Sequence, residues 1–241
     1  MRFLLSLLFA CSLVLASSSS SDIENEFSTD KEESLFDPLS GYNEIMTTFN
    51  DKVYEYVLKP TAQGYAYIVP QPAREGIANA ADNLLFPIRF INNILQLKFQ
   101  NSMEELGRFV INSTLGVVGF MDIASSDFGL KQHSEDLGQT LGFYGVGSGF
   151  HIVIPLLGPS NVRDIIGLMG DSWANPMAYV EARDANLLDS FEEELLLKGF
   201  LAVNRTSLHF EEYDSFKKDA IDLYPFLRNL YESRRNKRIS E

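Results

Sequence analysis

Apolar positions recur at helical spacing along most of the chain. The first such stripe follows the segment DPLSGYN, and its members are Tyr42, Ile45, Met46, Phe49, Val53, Tyr56 and Val57. The spacing predicts a helix that stops at Lys59-Pro60, because proline lacks the amide proton that a helix interior needs.

Prolines also divide the next block, which contains YIVPQPAREGIANAADNLLFP. Because proline is favoured in the first turn of a helix, we predict two short helices over residues 72–85 and 87–98. A third helix is predicted over residues 102–112, with Ser102 as its N-cap and Glu105 in the capping-box position.

Farther along, the pattern is irregular before it becomes helical again. The segment STLGVVGFMDIAS is too rich in glycine for a prediction, and Ser134 is the expected cap of one brief helix. Two stripes then predict helices in the C-terminal third. The first consists of Leu187, Phe191, Leu195, Leu196, Phe200 and Leu201, and the second of Phe216, Ile221, Tyr224, Leu227, Leu230 and Tyr231.

One segment departs from helical spacing and has glycines on both sides of an apolar run. Gly145, Gly147 and Gly149 precede the run, and Gly158 follows it. Two interpretations fit this composition: a buried hairpin or loop in the core, or a movable flap hinged at the glycines. Because strict alternation is nearly absent elsewhere, we predict an all-α fold that carries one irregular glycine-bounded apolar segment. The apolar run consists of Ile152, Val153, Ile154, Leu156 and Leu157.

The first residues are typical of a secretion signal. Met1-Arg2 is followed by a mostly apolar run that is too short for a permanent membrane span, so residues 1–16 predict a signal peptide and an exported chain. The alternative is lipid modification of Cys11, whose preceding residues faintly resemble a lipoprotein signal. Residues 17–36 are rich in serine and acidic side chains and predict a disordered tether.

The formal net charge of −13 limits the partners of the chain. It argues against binding to nucleic acid and against long-range attraction to an anionic membrane surface, so any membrane contact must rest on apolar surface. The basic run at residues 234–238 is expected to complement a helix dipole, with contact to lipid headgroups or an acidic partner as the alternative. Residues 236–241 are expected to form a basic C-terminal tail.

The chain lacks the residue patterns of common catalytic and metal sites. His133, His151 and His209 lie far apart in the sequence, and the one cysteine cannot form a disulfide within the chain. Ser148 lies between two glycines, but not at the spacing of a serine-hydrolase elbow. We therefore expect no enzyme activity, no bound metal and no cofactor.

Several longer segments occur in an order that is specific to one family. They include DPLSGYN, KPTAQGY, VPQPAREGIANAADNLLFP, LGRFVINSTLGVVGFMDIAS, DLGQTLGFYGVGSGFHIVIPLLGPSNVRD and DLYPFLRNLYESRR. Over residues 37–235 the chain thus resembles the MlaA (VacJ) family. The resemblance implies a ring-like bundle of helices in the periplasmic leaflet of an outer membrane, with a central amphipathic channel.

The resemblance further implies a non-enzymatic function. The channel would remove misplaced phospholipid from the outer leaflet and pass it to a MlaC-like periplasmic carrier, with phospholipid as the transported ligand. A trimeric porin is implied as a second partner. The rival hypothesis is a periplasmic scaffold that docks on a porin without any passage of lipid.

Site residues also follow from the resemblance. The stretch GIANAADNL is similar to a family segment that holds the channel in its normal state, which assigns Asn79, Ala80, Asn83 and Leu84 to the channel and its lock. Ala80 and Ala81 replace aromatic residues of that segment. The glycine-bounded run is similar to the family's flexible hairpin, so the resemblance favours the flap interpretation.

Overall fold

The computed structural model describes residues 37–176 and 191–241, and these residues are mostly helical. The predicted signal peptide, the tether, Cys11 and Leu187 lie outside the described residues. The all-α prediction is confirmed, with one two-stranded antiparallel hairpin in the described part. The helices are α1 (Ser40–Val53), α2 (Lys59–Ile68), α3 (Gln71–Leu84), α4 (Phe86–Leu95), α5 (Phe99–Thr114), α6 (Ile123–Ser126), α7 (Leu137–Phe143), α8 (Val162–Ala174), α9 (Phe191–Asp219) and α10 (Leu223–Ser240), and the strands are β1 (His151–Ile154) and β2 (Gly158–Asn161).

The first helix does not stop at Lys59-Pro60 as the sequence predicted. A π-helical turn at Tyr54–Leu58 joins α1 to α2, and the Lys59 amide donates to the Tyr54 carbonyl five residues back. Pro60 then lies in the first turn of α2, where its missing amide proton is tolerated. The wide turn thereby lets the helix continue to Ile68 instead of ending.

Two predicted helix caps are also wrong. Ser102 lies inside α5, which begins at Phe99, and its hydroxyl donates to the Lys98 carbonyl. The cap of α7 is Asp136 rather than Ser134, because the Asp136 carboxylate accepts from the Gln139 amide at 2.8 Å. At the other end of the chain α10 continues through residues 236–240.

Several helices turn polar side chains inward and apolar side chains outward. On α4 and α8 the exposed residues are all apolar, namely Ile91, Ile94 and Leu95 on α4 and Ile166, Met169 and Trp173 on α8. The buried faces of the same helices carry charged and amide side chains. These buried residues are Arg89, Asn92 and Asn93 on α4 and Arg163, Asp164 and Asp171 on α8.

The same inversion holds for α1 and α5, which bury Asn43, Thr47 and Asp51, and Ser102, Glu105, Arg108 and Asn112, respectively. Among the described residues, buried polar side chains outnumber buried apolar ones. A water-soluble domain has the opposite distribution, because burying apolar surface is what stabilises it. No described helix combines the length and the apolar character needed to cross a membrane.

Contacts between elements close into a circuit. α1 continues into α2, α2 packs on α9, α9 on α3, α3 on α4 and α5, α4 on α7, α7 on α10, and α10 returns to α1. The hairpin packs on α1, α8 and α10. This order of neighbours agrees with the ring-like bundle predicted from the sequence.

A buried ionic network joins α10 to the first turns of α7 and α8. Arg235 donates to both oxygens of Asp136, at 2.6 and 2.8 Å, and to Asp164 at 2.9 Å. Arg163 and Tyr231 also donate to Asp164, at 3.0 and 2.7 Å. Burial opposes ionisation of Asp136, but the Arg235 guanidinium outweighs it and lowers the pKa of Asp136 to about 2.

Asp171 lies beside this network and forms no ion pair with any residue that the structure describes. Its carboxyl group accepts from the Leu137 amide and from the Asn92 side chain, each at 2.9 Å. Burial, and then the neighbouring Asp136 carboxylate, raise the pKa of Asp171 to about 7, although Arg235 acts in the opposite direction. The native state therefore holds a proton on Asp171 that the unfolded chain releases near pH 4.

We expect Asp171→Asn to flatten the pH dependence of stability. Between about pH 4 and pH 7 the native state binds more protons than the unfolded chain, so stability falls as pH rises, by at most about 4 kcal/mol. The variant cannot titrate and loses this slope. The thermal midpoint in detergent micelles, followed by Trp173 fluorescence from pH 4 to 8, measures it. The exposed control Asp127→Asn should keep the wild-type slope, and an unchanged slope in Asp171→Asn would contradict the assignment.

Candidate functional site

A polar cleft opens between α3, α4 and α5. Its empty volume is about 300 Å³ when the adjoining open solvent is included, and its lining includes both predicted asparagines, Asn79 and Asn83. Ala80 and Leu84, which the sequence assigned to the same site, are not part of the lining. The lining residues are Asn79, Asp82, Asn83, Arg89, Arg108, Asn112, Asp122 and Gln132.

Arg89 is held in the wall of the cleft by Glu105. The guanidinium donates to Glu105 Oε2 at 2.7 Å and to the Asp82 carbonyl at 2.8 Å. Glu105 is fully buried and its other oxygen accepts from the His133 amide at 2.6 Å. This pairing satisfies a buried charge that would otherwise be strongly destabilising.

Arg108 is the second buried cation of the cleft. It donates to Asp122 at 3.0 Å and to the Leu130 carbonyl at 2.6 Å, whereas its Nε atom is buried without a hydrogen-bond partner. Burial opposes ionisation of Asp122, but hydrogen bonds from Ser125, Asn112 and Arg108 outweigh it and lower the pKa of this carboxyl group. Asp122 therefore remains a carboxylate at neutral pH.

The charged side chains of the cleft differ in their exposure to solvent. The side chains of Asp82 and Asp122 are each 30% exposed, whereas those of Arg89 and Arg108 are only 11% and 7% exposed. The two carboxylates of the lining are therefore more accessible to solvent than its two guanidinium groups.

A strained loop borders the cleft, and we call residues Leu115–Met121 the rim loop. Val117 and Val118 have φ angles of +54° and +59°, a left-handed conformation that branched side chains rarely adopt. Both valines are exposed, at 65% and 72%. Such strain persists only where surrounding contacts enforce it, and it is found preferentially at functional sites.

The rim loop is fitted closely against α3. The Phe120 ring lies on Gly76, where any side chain would come within 2.5 Å of it, and Gly119 leaves no room for a Cβ beside Asn83. The Asn79 side chain donates to the Phe120 carbonyl at 3.4 Å. Sequence reasoning made no prediction for this loop, because the segment is rich in glycine and nothing in it indicated the strained valines.

The glycine-bounded segment forms the predicted hairpin. Gly145, Gly149 and Gly158 have left-handed φ angles of +84°, +72° and +88°. Val153 and Leu157 are buried, Ile152 and Ile154 are half-buried, and Leu156 is exposed at the tip. Gly147 has open space around it. No residue of the hairpin lines the described cleft.

Two asparagines of α1 fasten the hairpin. Asn43 accepts from the Val153 amide at 2.8 Å and donates to the His151 carbonyl at 3.1 Å. Asn50, two turns later, accepts from the Leu156 amide at 2.7 Å and donates to the Ile154 carbonyl at 3.0 Å. The two amide side chains thus take the place of a neighbouring strand. Their spacing of seven residues is a signal that sequence reasoning passed over.

We expect Asn50→Ala to release the hairpin tip. Because two hydrogen bonds are lost, amide exchange at Leu156 should accelerate about tenfold, as measured by hydrogen–deuterium exchange with mass spectrometry. Exchange in α9 should not change. Asn229→Ala, an exposed position on α10, is the control. Unchanged exchange at Leu156 would show that the side chain of Asn50 does not hold the tip.

Residues 35–238 match the profile of the MlaA lipoprotein family. The intermembrane phospholipid transport system lipoprotein MlaA of Escherichia coli K12 is 38% identical over 171 residues, which are 64% of this chain and 68% of that protein. The protein of the same description in Haemophilus influenzae is 34% identical over 175 residues, covering 66% of this chain and 70% of that one. An uncharacterized Rickettsia bellii protein is 30% identical over 196 residues, covering 81% and 73%.

A solved structure also resembles the fold. It comes from work on the structural basis for maintenance of bacterial outer membrane lipid asymmetry, and it superposes with a TM-score of 0.70 at 28% sequence identity. The match covers 85% of this chain and 99% of that one. The overall fold of this chain is therefore shared with a protein of known structure.

Proposed function

The chain belongs to the MlaA lipoprotein family, and we propose that it moves phospholipid between membranes and so maintains the lipid asymmetry of an outer membrane. The inverted polarity of the helices is the observation that carries this proposal. An apolar exterior on α4 and α8 costs free energy in water, at about 25 cal/mol for each Å² of exposed apolar surface. Surrounding acyl chains remove that cost.

The polar interior supplies the other half of the proposal. A phospholipid has two apolar tails and a polar headgroup, and the headgroup cannot cross hydrocarbon without hydrogen-bonding partners. A passage lined with amide and charged side chains offers those partners, while the tails remain among the apolar faces outside. We propose that the ring encloses such a channel and that the cleft at Asn79 and Asn83 is part of it.

The proposal also covers the location of the ring in the membrane and its partners. We propose that the ring lies in the periplasmic leaflet, takes misplaced phospholipid from the outer leaflet, and passes it to a MlaC-like periplasmic carrier beside a trimeric porin. No bond is broken in this process, so no catalytic group is required. The description of the relatives as lipoproteins supports acylation at Cys11 over simple cleavage after Ala16.

The gate of the passage is best placed at the rim loop. This loop borders the cleft, holds two valines in strained conformations and contacts Asn79. The glycine-bounded hairpin, which we expected to be the flap, is fastened to α1 by four side-chain hydrogen bonds. We therefore propose that the rim loop moves when lipid passes and that the hairpin stays in place.

Membrane association should depend on the outer face of α8. Replacing both Ile166 and Met169 by Asp puts two charges among acyl chains and removes apolar burial worth about 1.5–3 kcal/mol for each side chain. We expect the fraction that floats with phosphatidylcholine vesicles to fall at least tenfold. A control with Asn229→Asp and Asn236→Asp adds equal charge to exposed positions of α10 and should float like wild type. Equal flotation of both variants would contradict the proposal.

Disulfide staples should locate the gate and exclude the scaffold hypothesis. Cysteines at Asn50 and Leu156 fix the hairpin to α1, and cysteines at Asn79 and Phe120 fix the rim loop to α3. We expect transfer of fluorescent phospholipid between vesicles to stay within about twofold for the first staple, and to stop until reduction for the second. Serine pairs at the same positions control for lost contacts. A block by the first staple alone would make the hairpin the flap, and transfer indifferent to both would overturn the gate at the rim loop. The scaffold hypothesis would be favoured if even the unstapled protein transferred no lipid.

A further inference from the structure

The lining of the cleft contains two carboxylates and two guanidinium groups, which differ in exposure. Two carboxylates, Asp82 and Asp122, are the more exposed charges of the lining, and two guanidinium groups, Arg89 and Arg108, are the more buried ones. The lining thus carries no large net charge, but its more exposed charges are negative. A ligand that matches this arrangement has a cation at one end and an anion at the other.

Two atoms of the lining have no hydrogen-bond partner within the described part of the chain. Arg108 Nε is a buried donor without a partner, although the rest of that guanidinium is engaged. Asp82 uses only Oδ1 in its ion pair with Arg205, at 2.5 Å, and its Oδ2 atom makes no hydrogen bond within the described part of the chain. A buried donor left unpaired costs about 1–3 kcal/mol, which binding of an acceptor would recover.

We propose that the cleft recognises the headgroup of a zwitterionic aminophospholipid and disfavours headgroups that carry only negative charge. The ammonium group lies against the carboxylates of Asp82 and Asp122. The phosphate lies deeper, against Arg108 Nε and the side-chain amide of Asn79. This inference rests on the proposed function and adds the class of phospholipid that the passage selects.

The physical basis of the selection is a like-charge penalty at the two carboxylates of the lining. A phosphatidylglycerol headgroup brings one negative charge and no cation, so the carboxylates repel it. A phosphatidylethanolamine headgroup brings the same phosphate, together with three ammonium donors that the carboxylates accept. Because the carboxylates are 30% exposed, solvent screening limits the difference to about threefold to fivefold in occupancy.

The test measures which lipid the whole protein retains. Nanodiscs with equal amounts of palmitoyl-oleoyl phosphatidylethanolamine and phosphatidylglycerol are loaded with the protein, and the lipid that remains after detergent extraction is counted by native mass spectrometry. We expect about threefold to fivefold more phosphatidylethanolamine than phosphatidylglycerol to remain bound. Equal retention of the two lipids would overturn the proposal.

Three variants separate the electrostatic effect from damage to the fold. Asp82→Asn removes one of the two carboxylates and should bring the ratio close to one, whereas Arg205→Gln removes the cation beside it and should raise the ratio. Asp214→Asn is the matched control, because Asp214 also forms an ion pair between helices, with Lys59 at 2.6 Å, away from the cleft lining. If Asp82→Asn and Asp214→Asn change the ratio alike, the selection does not come from the cleft.

A separate measurement of lipid transfer between vesicles distinguishes headgroup selectivity from the proposed transport function. The same two lipids, labelled on their tails, are followed between vesicles in the presence of wild-type protein. Preferential retention of phosphatidylethanolamine without any transfer would overturn the transport proposal and support a headgroup site. Transfer of both lipids at equal rates, with equal retention, would support transport and overturn the selectivity.

Discussion

Every charge that this fold buries must have a partner, and that constraint determines how the helices face each other. An unpaired buried ion costs several kcal/mol, so the interior is ordered by donors and acceptors rather than by the shapes of apolar side chains. Arg235 shows the arrangement most clearly, because one guanidinium holds carboxylates from α7 and α8 against α10. Glu105 plays the same part between α4 and α5, since it pairs with Arg89.

Because the polar side chains lie inside, the apolar faces of several helices form the outer surface. The hydrophobic effect cannot gather helices whose apolar faces point outward, so an aqueous solvent would not stabilise this arrangement. Among acyl chains the balance is different, because hydrogen bonds and close packing hold helices together where water is absent. A surrounding of acyl chains thus accounts for both the polar interior and the apolar exterior. The cleft is the place where polar interior side chains reach the surface.

The sequence predicted helices well because helical spacing does not depend on which face is buried. The stripe that includes Tyr42, Ile45 and Phe49 has the same period whether it faces a core or lipid, so α1 was found while its orientation was not. Local rules failed where tertiary contacts compete with them: Asp136 displaced Ser134 as a cap, and a π turn carried the chain past Pro60. Asn79 and Asn83 were singled out through family resemblance, and both line the cleft. Arg89 and Arg108 gave no signal, because arginines at helical spacing are typical of solvated faces.

The π turn at Tyr54–Leu58 has a consequence for how this chain can change in length. An α-helix advances by about 100° for each residue, so deleting one residue from the turn would restore a regular helix but rotate everything after it by about that angle. Tyr65, which now donates to Asn204 on α9, would point elsewhere, and the exposed Tyr67 and Ile68 would swing toward the bundle. The extra residue therefore determines which face of α2 packs against α9. We expect single-residue deletions to be far less tolerated in this turn than in the loops.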